Sequence, residues 1–242
     1  MPAADTGTVP GFDLPQIDRL LTTTRAVRKR LDLERPVEPE VIQECIRIAI
    51  QAPTGGGYGQ QWRWLVVTDP GKRARLAELY RDTARAQRIA ADPRDIERMI
   101  AEAGLEDATA GLSAAQLARS FDSGMYLADR LQDVPVHVIP CVRRSPSDSD
   151  TFEVATMFGS ILPAVWSFQL ALRARGLGTV LTTMHLPHEH EAAALLDIPG
   201  SVLQVGLIPV AYYTGRDFRP AARRPAEEIT YWNTWKATRK DG

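Results

Sequence analysis

From about Phe152 to Arg175 the sequence reads as one long apolar helix. Phe158, Ile161, Leu162, Val165, Phe168 and Leu172 share one face, and Gly176 is a natural C-terminal stop. A helix of this kind draws its stability from packing its apolar face, so other elements must cover it. The chain has 242 residues, 44% of them hydrophobic, enough for one large core without disulfides. One domain over 1–242 is expected, with residues 1–11 as a loose tail.

The covering elements can be read from local signals. Asp13 caps a short helix carrying Leu14, Ile17, Leu20 and Leu21. Pro39 opens a stronger one with Val41, Ile42, Cys45, Ile46, Ala49 and Ile50 at helical spacing, ending near Ala52 because Pro53 disfavours helix before it. Trp62 to Thr68 reads as a buried strand. Asp69-Pro70 starts a helix through Leu76, Leu79 and Tyr80, and residues 81–112 read as charged surface helices. Ser113 with Gln116 fits a capping box leading into Leu117, Phe121, Leu127 and Leu131. Strands follow at Val134–Val142, Thr179–Thr183 and Val202–Tyr213, with a small helix from Pro187 to Leu196. Few strands, irregularly alternating with helices, indicate an α+β fold with a central sheet packed by long helices.

A net charge of −1 argues against a dedicated nucleic-acid binder. Cys45 and Cys141 lie far apart in apolar patterns and read as buried free thiols. No stretch approaches the ~18 uninterrupted apolar residues of a membrane span, and no charged start leads into an apolar run, so a cytoplasmic protein is expected.

The stretch QAPTGGGYGQQW, Gln51 to Trp62, joins a helix to a strand. It is not a dinucleotide fingerprint: Gln60 stands where the last glycine belongs, and the helix precedes rather than follows. No Walker-type Gly-Lys-Ser/Thr is present. The stretch is either a plain connector or a ligand-facing loop, in which bare glycine backbone and the amides of Gln60 and Gln61 meet a flat, hydrogen-bonding molecule. Arg25, Arg28, Lys29 and Arg30 crowd within six residues, and on a helix 25, 28 and 29 would share a side. They form a solvated charge run or a phosphate grip, and Arg223-Arg224 is a second basic pair. HLPHEH, His185 to His190, lacks the further ligands a metal needs, and His188 and His190 are placed at an exposed helix start. No nucleophile motif appears, which suits chemistry carried by a cofactor.

In order, these pieces resemble the nitroreductase-type flavoprotein family of FMN-dependent NAD(P)H oxidoreductases. TRAVR, Thr24 to Arg28, is similar to the family's Arg-Ser-x-Arg clamp, with Ala26 in the serine's place and Thr24 as a substitute hydroxyl. APTGGGYGQQWRW, Ala52 to Trp64, is similar to its Ala-Pro-Ser/Thr-x-x-Asn-x-Gln-x-Trp loop, one residue longer and with Tyr58 or Gly57 near the missing asparagine. GLGTVLTT, Gly176 to Thr183, and Arg223-Arg224-Pro225 with Glu227-Glu228 complete the match.

The resemblance implies a mixed, mainly antiparallel sheet and an intertwined homodimer, with Phe152–Arg175 as candidate dimer core and residues 81–125 as a variable cover. It implies FMN held by Arg25, Ala26, Val27 and Arg28, by Pro53, Thr54, Gly55, Gly57 and Gln60, by Thr182, Thr183 and Met184, and by Arg223 and Arg224. Backbone N–H groups of 182–184 would face the flavin N5 region. Hydride would pass from NADH or NADPH through FMN to a nitroaromatic, quinone or related small-molecule acceptor by a ping-pong cycle. The alternatives are an FMN-binding storage or regulatory protein without turnover, a member with other flavin chemistry such as dehalogenation or flavin breakdown, and a binder of another phosphorylated ligand. No acid–base residue is identifiable, and neither metal, membrane nor nucleic acid is expected.

Overall fold

The computed structural model describes residues 11–55, 61–86, 98, 114–144 and 150–238. Asp13 Oδ1 accepts the Gln16 N–H at 3.0 Å and starts helix α1, Leu14–Thr23. Pro39 sits in the first turn of α2, Pro39–Ala49, which buries Ile42, Cys45, Ile46 and Ala49. Strand β1, Arg63–Val67, is followed by α3, Pro70–Ala86, whose start is capped by Asp69 Oδ1 on Lys72 N–H at 2.8 Å. Then come α4, Ala114–Arg130; β2, Val136–Arg143; α5, Thr151–Ala174; β3, Leu177–Thr179; α6, Glu189–Leu196; β4, Val202–Gln204; β5, Ile208–Tyr212; and α7, Ala226–Ile229.

The sheet order is β1-β2-β5-β3, with β4 also on β2, and every pairing of these strands is antiparallel. The expected parallel component reduces to one isolated bridge, Ala26 with Thr179. Alternation along β2 divides the core. Val136, Val138 and Val142 pack with α2 and α5, whereas Ile139 and Cys141 pack with α3, α4 and α6. By length and composition α5 would cross a membrane, with a mean hydropathy of 1.4. Instead Ile161, Val165, Phe168 and Leu172 are enclosed by the fold, the packing of a core helix. Leu162, assigned to that face, stays exposed beside Trp166. Gly176, at φ +80°, ends the helix in the left-handed conformation.

Three strand readings change. β1 is a sheet edge, so Arg63 and Val66 are exposed and Val67 alone is fully buried. Val202–Tyr213 breaks into β4 and β5. Across the break, Pro140 O accepts the Val205 N–H at 2.9 Å, but proline has no N–H to return and the ladder cannot close. β3 begins at Leu177 and ends at Thr179, and beyond it only Thr182 pairs, with Leu207. Both cysteines are free and buried. The expected N-terminal tail up to Pro10, Ser113 of the capping box, and Ser145 to Ser149 lie outside the described residues, as do 87–113 of the cover except Arg98. Asp150 caps α5 through the Phe152 N–H at 2.8 Å.

Two histidines are fully buried. His137 on β2 meets the Leu131 carbonyl through Nε2 at 2.9 Å. His185, before α6, lies beside Gln204 outside hydrogen-bond geometry, leaving both ring nitrogens and Gln204 Oε1 unpartnered. Burial is the largest cause that lowers each ring from 6.5 to about 4. The unfolded rings take up protons near pH 6.5 while the folded rings resist until about 4. Stability is therefore undiminished by them above 6.5, and each withdraws up to ~3 kcal/mol as pH falls through that window. Melting temperature should hold steady above pH 6.5 and drop between 6.5 and 4, with a shallower drop in His185→Gln. Calorimetry across that range checks this.

Candidate functional site

α1 closes with three hydroxyls turned back on it. Thr22, Thr23 and Thr24 Oγ1 donate to the carbonyls of Asp18, Arg19 and Leu20, each at 2.6 Å. Thr24 therefore does not substitute for a serine hydroxyl at position 26, since its proton is engaged by the helix. The chain then pairs with β3 at Ala26 rather than continuing as a helix, and turns at Arg28–Leu31, where Leu31 N–H donates to Arg28 O at 3.1 Å. Val27 N–H donates to Thr179 O at 2.8 Å, and Leu31 bridges to Tyr213. Gly178 makes this approach possible: a Cβ there would stand 2.9 Å from Val27 Cβ and Cγ1 and 3.1 Å from Leu31 Cδ2.

This path sorts the basic run. Lys29 forms an ion pair with Asp122 of α4. Arg30 Nε donates to Thr214 O at 2.7 Å, Nη2 donates to the Arg216 carbonyl, and the guanidinium lies 4.1 Å from the Phe218 ring centre. Arg25 and Arg28 are half-buried, and among the described residues neither guanidinium has an ion-pair or hydrogen-bond partner. Burial lowers the pKa of both, and the Arg223 charge lowers Arg25 further. Arg223 itself bonds only the adjacent Ala222 carbonyl, at 3.0 Å. Arg224 pairs with Glu228 at 3.4 Å, so the second basic pair is also split. Arg223 reaches Arg25 because the loop after β5 is pinned. Asp217 takes ion pairs from Arg19 and Arg173, Arg173 Nη1 donates to Tyr213 Oη at 2.7 Å, and Phe218 lies near both Arg30 and Arg173.

After β3, Thr182 N–H donates to Leu207 O at 2.9 Å and Thr182 O accepts from Leu207 N at 2.7 Å. Its backbone therefore cannot face a ligand. The next two N–H groups, of Thr183 and Met184, have no partner among the described residues. Thr182 Oγ1 donates to Tyr80 Oη at 3.1 Å, bringing α3 into the site. Sequence reading assigned Tyr80 only to the apolar face of its helix.

The described start of the glycine-rich stretch, up to Gly55, is not gathered here. Pro53, Thr54 and Gly55 are exposed after α2, which packs on the other face of the sheet, and a Cβ on Gly55 would stand 3.8 Å from Thr156 of α5. Gly57 and Gln60 lie outside the described residues, as does Tyr58. Trp62 is only 6% exposed and its Nε1 donates to Ser160 Oγ at 3.1 Å, which makes it a core pin. His188 starts α6 and meets Glu191 at 3.3 Å, and His190 is exposed. Among the described residues no group of three or more metal-ligating side chains assembles. What the described residues offer is two guanidinium groups with no acid partner among them and two open N–H donors, chemistry suited to an anionic ligand with hydrogen-bond acceptors.

The sequence model of the Nitroreductase family matches residues 21–212. Several solved structures are similar. A nitroreductase-like family protein from Bacillus cereus has 18% identity and a TM-score of 0.59, covering 89% of this chain and 95% of that one. Iodotyrosine deiodinase bound to FMN and 3-iodo-L-tyrosine has 20% identity and a TM-score of 0.62, covering 89% and 98%. A mutant of the FMN and NADPH-dependent nitroreductase NfnB from Sphigopyxis sp. strain HMH has 18% identity and a TM-score of 0.62, covering 90% and 99%. No curated protein matches the chain.

Gly178→Ala should destabilise the fold by about 1–3 kcal/mol, because the added methyl overlaps Val27 and Leu31. Gly124→Ala within α4, where a Cβ meets nothing within 4 Å, should be neutral or stabilising by up to ~1 kcal/mol. Denaturant unfolding of both variants measures the contrast.

Proposed function

The chain belongs to the Nitroreductase family, and on that premise we propose that it is an FMN-dependent oxidoreductase using NADH or NADPH to reduce a nitroaromatic, quinone or related acceptor. The observation that carries the reading is the pair of half-buried arginines, Arg25 and Arg28, with no acid partner among the described residues, while their neighbours Lys29 and Arg30 are engaged. Desolvating a guanidinium without an anion is costly, so a resident anion accounts for their placement. Similarity to solved flavoproteins, one bound to FMN and one FMN- and NADPH-dependent, supports FMN as that ligand.

The residues present fit the group. Arg25 and Arg223, nearer the surface, would grip the phosphate, whose geometry suits guanidinium forks. Arg28, more deeply buried, would lie toward the ring edge, where a fixed positive charge favours the reduced, anionic form. The N–H groups of Thr183 and Met184 would orient the ring from the other side. Bound FMN supplies the hydride chemistry, accepting from the nicotinamide donor and delivering to the acceptor in turn. Ala26 and Val27 hold the clamp to β3.

A homodimer fits the same arrangement. Pro53, Thr54 and Gly55 lie on the face opposite the arginines, so a second copy is the route by which both sets serve one cofactor. Exposed Ile48, Leu162 and Trp166 on α2 and α5, and Ile229, Trp232 and Trp235 after β5, provide apolar surface for that copy.

Purified protein should carry a yellow chromophore that NADH or NADPH bleaches and an added quinone restores, followed by absorbance. A colourless protein that gains no flavin would overturn the reading. Arg25→Ala and Arg28→Ala should each weaken FMN retention by about tenfold or more, the scale of a lost charge-assisted bond. Lys29→Ala should change it little, because that ammonium is engaged by Asp122. Equal retention in the three variants would remove the clamp assignment.

A further inference from the structure

Tyr80 has only 4% of its surface exposed, yet it carries a hydroxyl into the region where Arg28 and Thr182 meet. Thr182 Oγ1 donates to that hydroxyl, leaving the phenol's own proton without an acceptor among the described residues. Burial pushes the phenol's pKa up, outweighing the opposing pull of Thr182 and Arg28, so it stays a neutral donor. Thr182 is simultaneously held by its backbone to Leu207, and the open N–H groups of Thr183 and Met184 follow directly. Two separate pieces of chain thus meet at one oxygen, α3 and the segment after β3, and the Arg28 charge acts on it. A phenylalanine would fill the same space in the apolar cluster formed with Leu76, Val180 and Leu207.

We propose that Tyr80 is a positioning residue of the flavin site, its buried hydroxyl fixing Thr182 so that the backbone donors that follow it address the ligand. This rests on the FMN reading above. Without the hydroxyl, Thr182 loses its side-chain anchor, while packing is conserved.

The test is Tyr80→Phe, with Thr182→Val as the second variant, in the full-length protein. FMN affinity is read by quenching of flavin fluorescence and the flavin midpoint potential by dye equilibration, with melting temperature measured without flavin. In Tyr80→Phe, affinity should fall about tenfold, as for loss of the hydrogen bond that anchors Thr182 and the backbone donors after it. The midpoint potential should become more negative, because the reduced ring loses more stabilisation than the oxidised one. Thr182→Val should act in the same direction, and the double variant should be no worse than the poorer single one. Wild-type affinity and potential in Tyr80→Phe, with FMN bound normally by the parent protein, would overturn the positioning role and leave the FMN reading intact. Loss of melting temperature with unchanged affinity and potential would mark the hydroxyl as purely structural and overturn it too. A parent protein that binds no FMN would instead defeat the reading on which the proposal rests.

Discussion

The approach of Val27 to Gly178 governs the site. It sets residues 25–31 against β3 through one backbone bond to Thr179, at a distance no side chain on position 178 would permit. Once the segment is docked there, packing and polar partners sort its side chains. Val27 and Leu31 enter the apolar cluster with Val180 and Leu207, Lys29 turns to α4, and Arg30 locks onto the loop after β5. Arg25 and Arg28 are what remains, facing Arg223 and Tyr80. The same docking shields part of each guanidinium from water while giving it no carboxylate among the described residues.

Polar groups elsewhere in the interior are handled differently. Gln169 Nε2 donates to Thr179 Oγ1 at 3.0 Å and Trp62 Nε1 to Ser160 Oγ at 3.1 Å, two buried bonds that tie α5 to β3 and to the loop before β1. They make α5 a rigid backing for the strand on which residues 25–31 lie. His137 and His185 remain neutral instead, because no acid lies close enough to repay charging them. Polar interior groups are thus either paired or uncharged, and the two arginines are the departure. Departures of that kind concentrate at functional sites.

Much of the element order was readable because its signals are local. Asp13, Pro39, Asp69 and Gly176 each act within about one turn of their own helix, and the apolar spacing of α2 and α5 reports the face each buries. Strand boundaries were less readable. The break between β4 and β5 depends on Pro140 of a different strand, and the exposure of β1 depends on its being at the sheet edge. The helical grouping of Arg25, Arg28 and Lys29 failed for a similar reason: the bridge from Ala26 to Thr179 and the turn at 28–31 take that segment out of helical geometry.

The sequence by itself determined the class of fold, the helix caps, the long buried helix and, through the order of four weak motifs, the family. Each of these rests on short-range spacing or on chain order, both of which are written along the chain. Tertiary structure alone decided which of the basic side chains in 25–30 find partners among the described residues, that Thr182 gives its backbone to Leu207, that Trp62 is a core pin, and that Tyr80 bonds Thr182. Those outcomes depend on partners drawn from distant parts of the chain, such as Asp122, Thr214 and Ser160, and no local pattern names a partner.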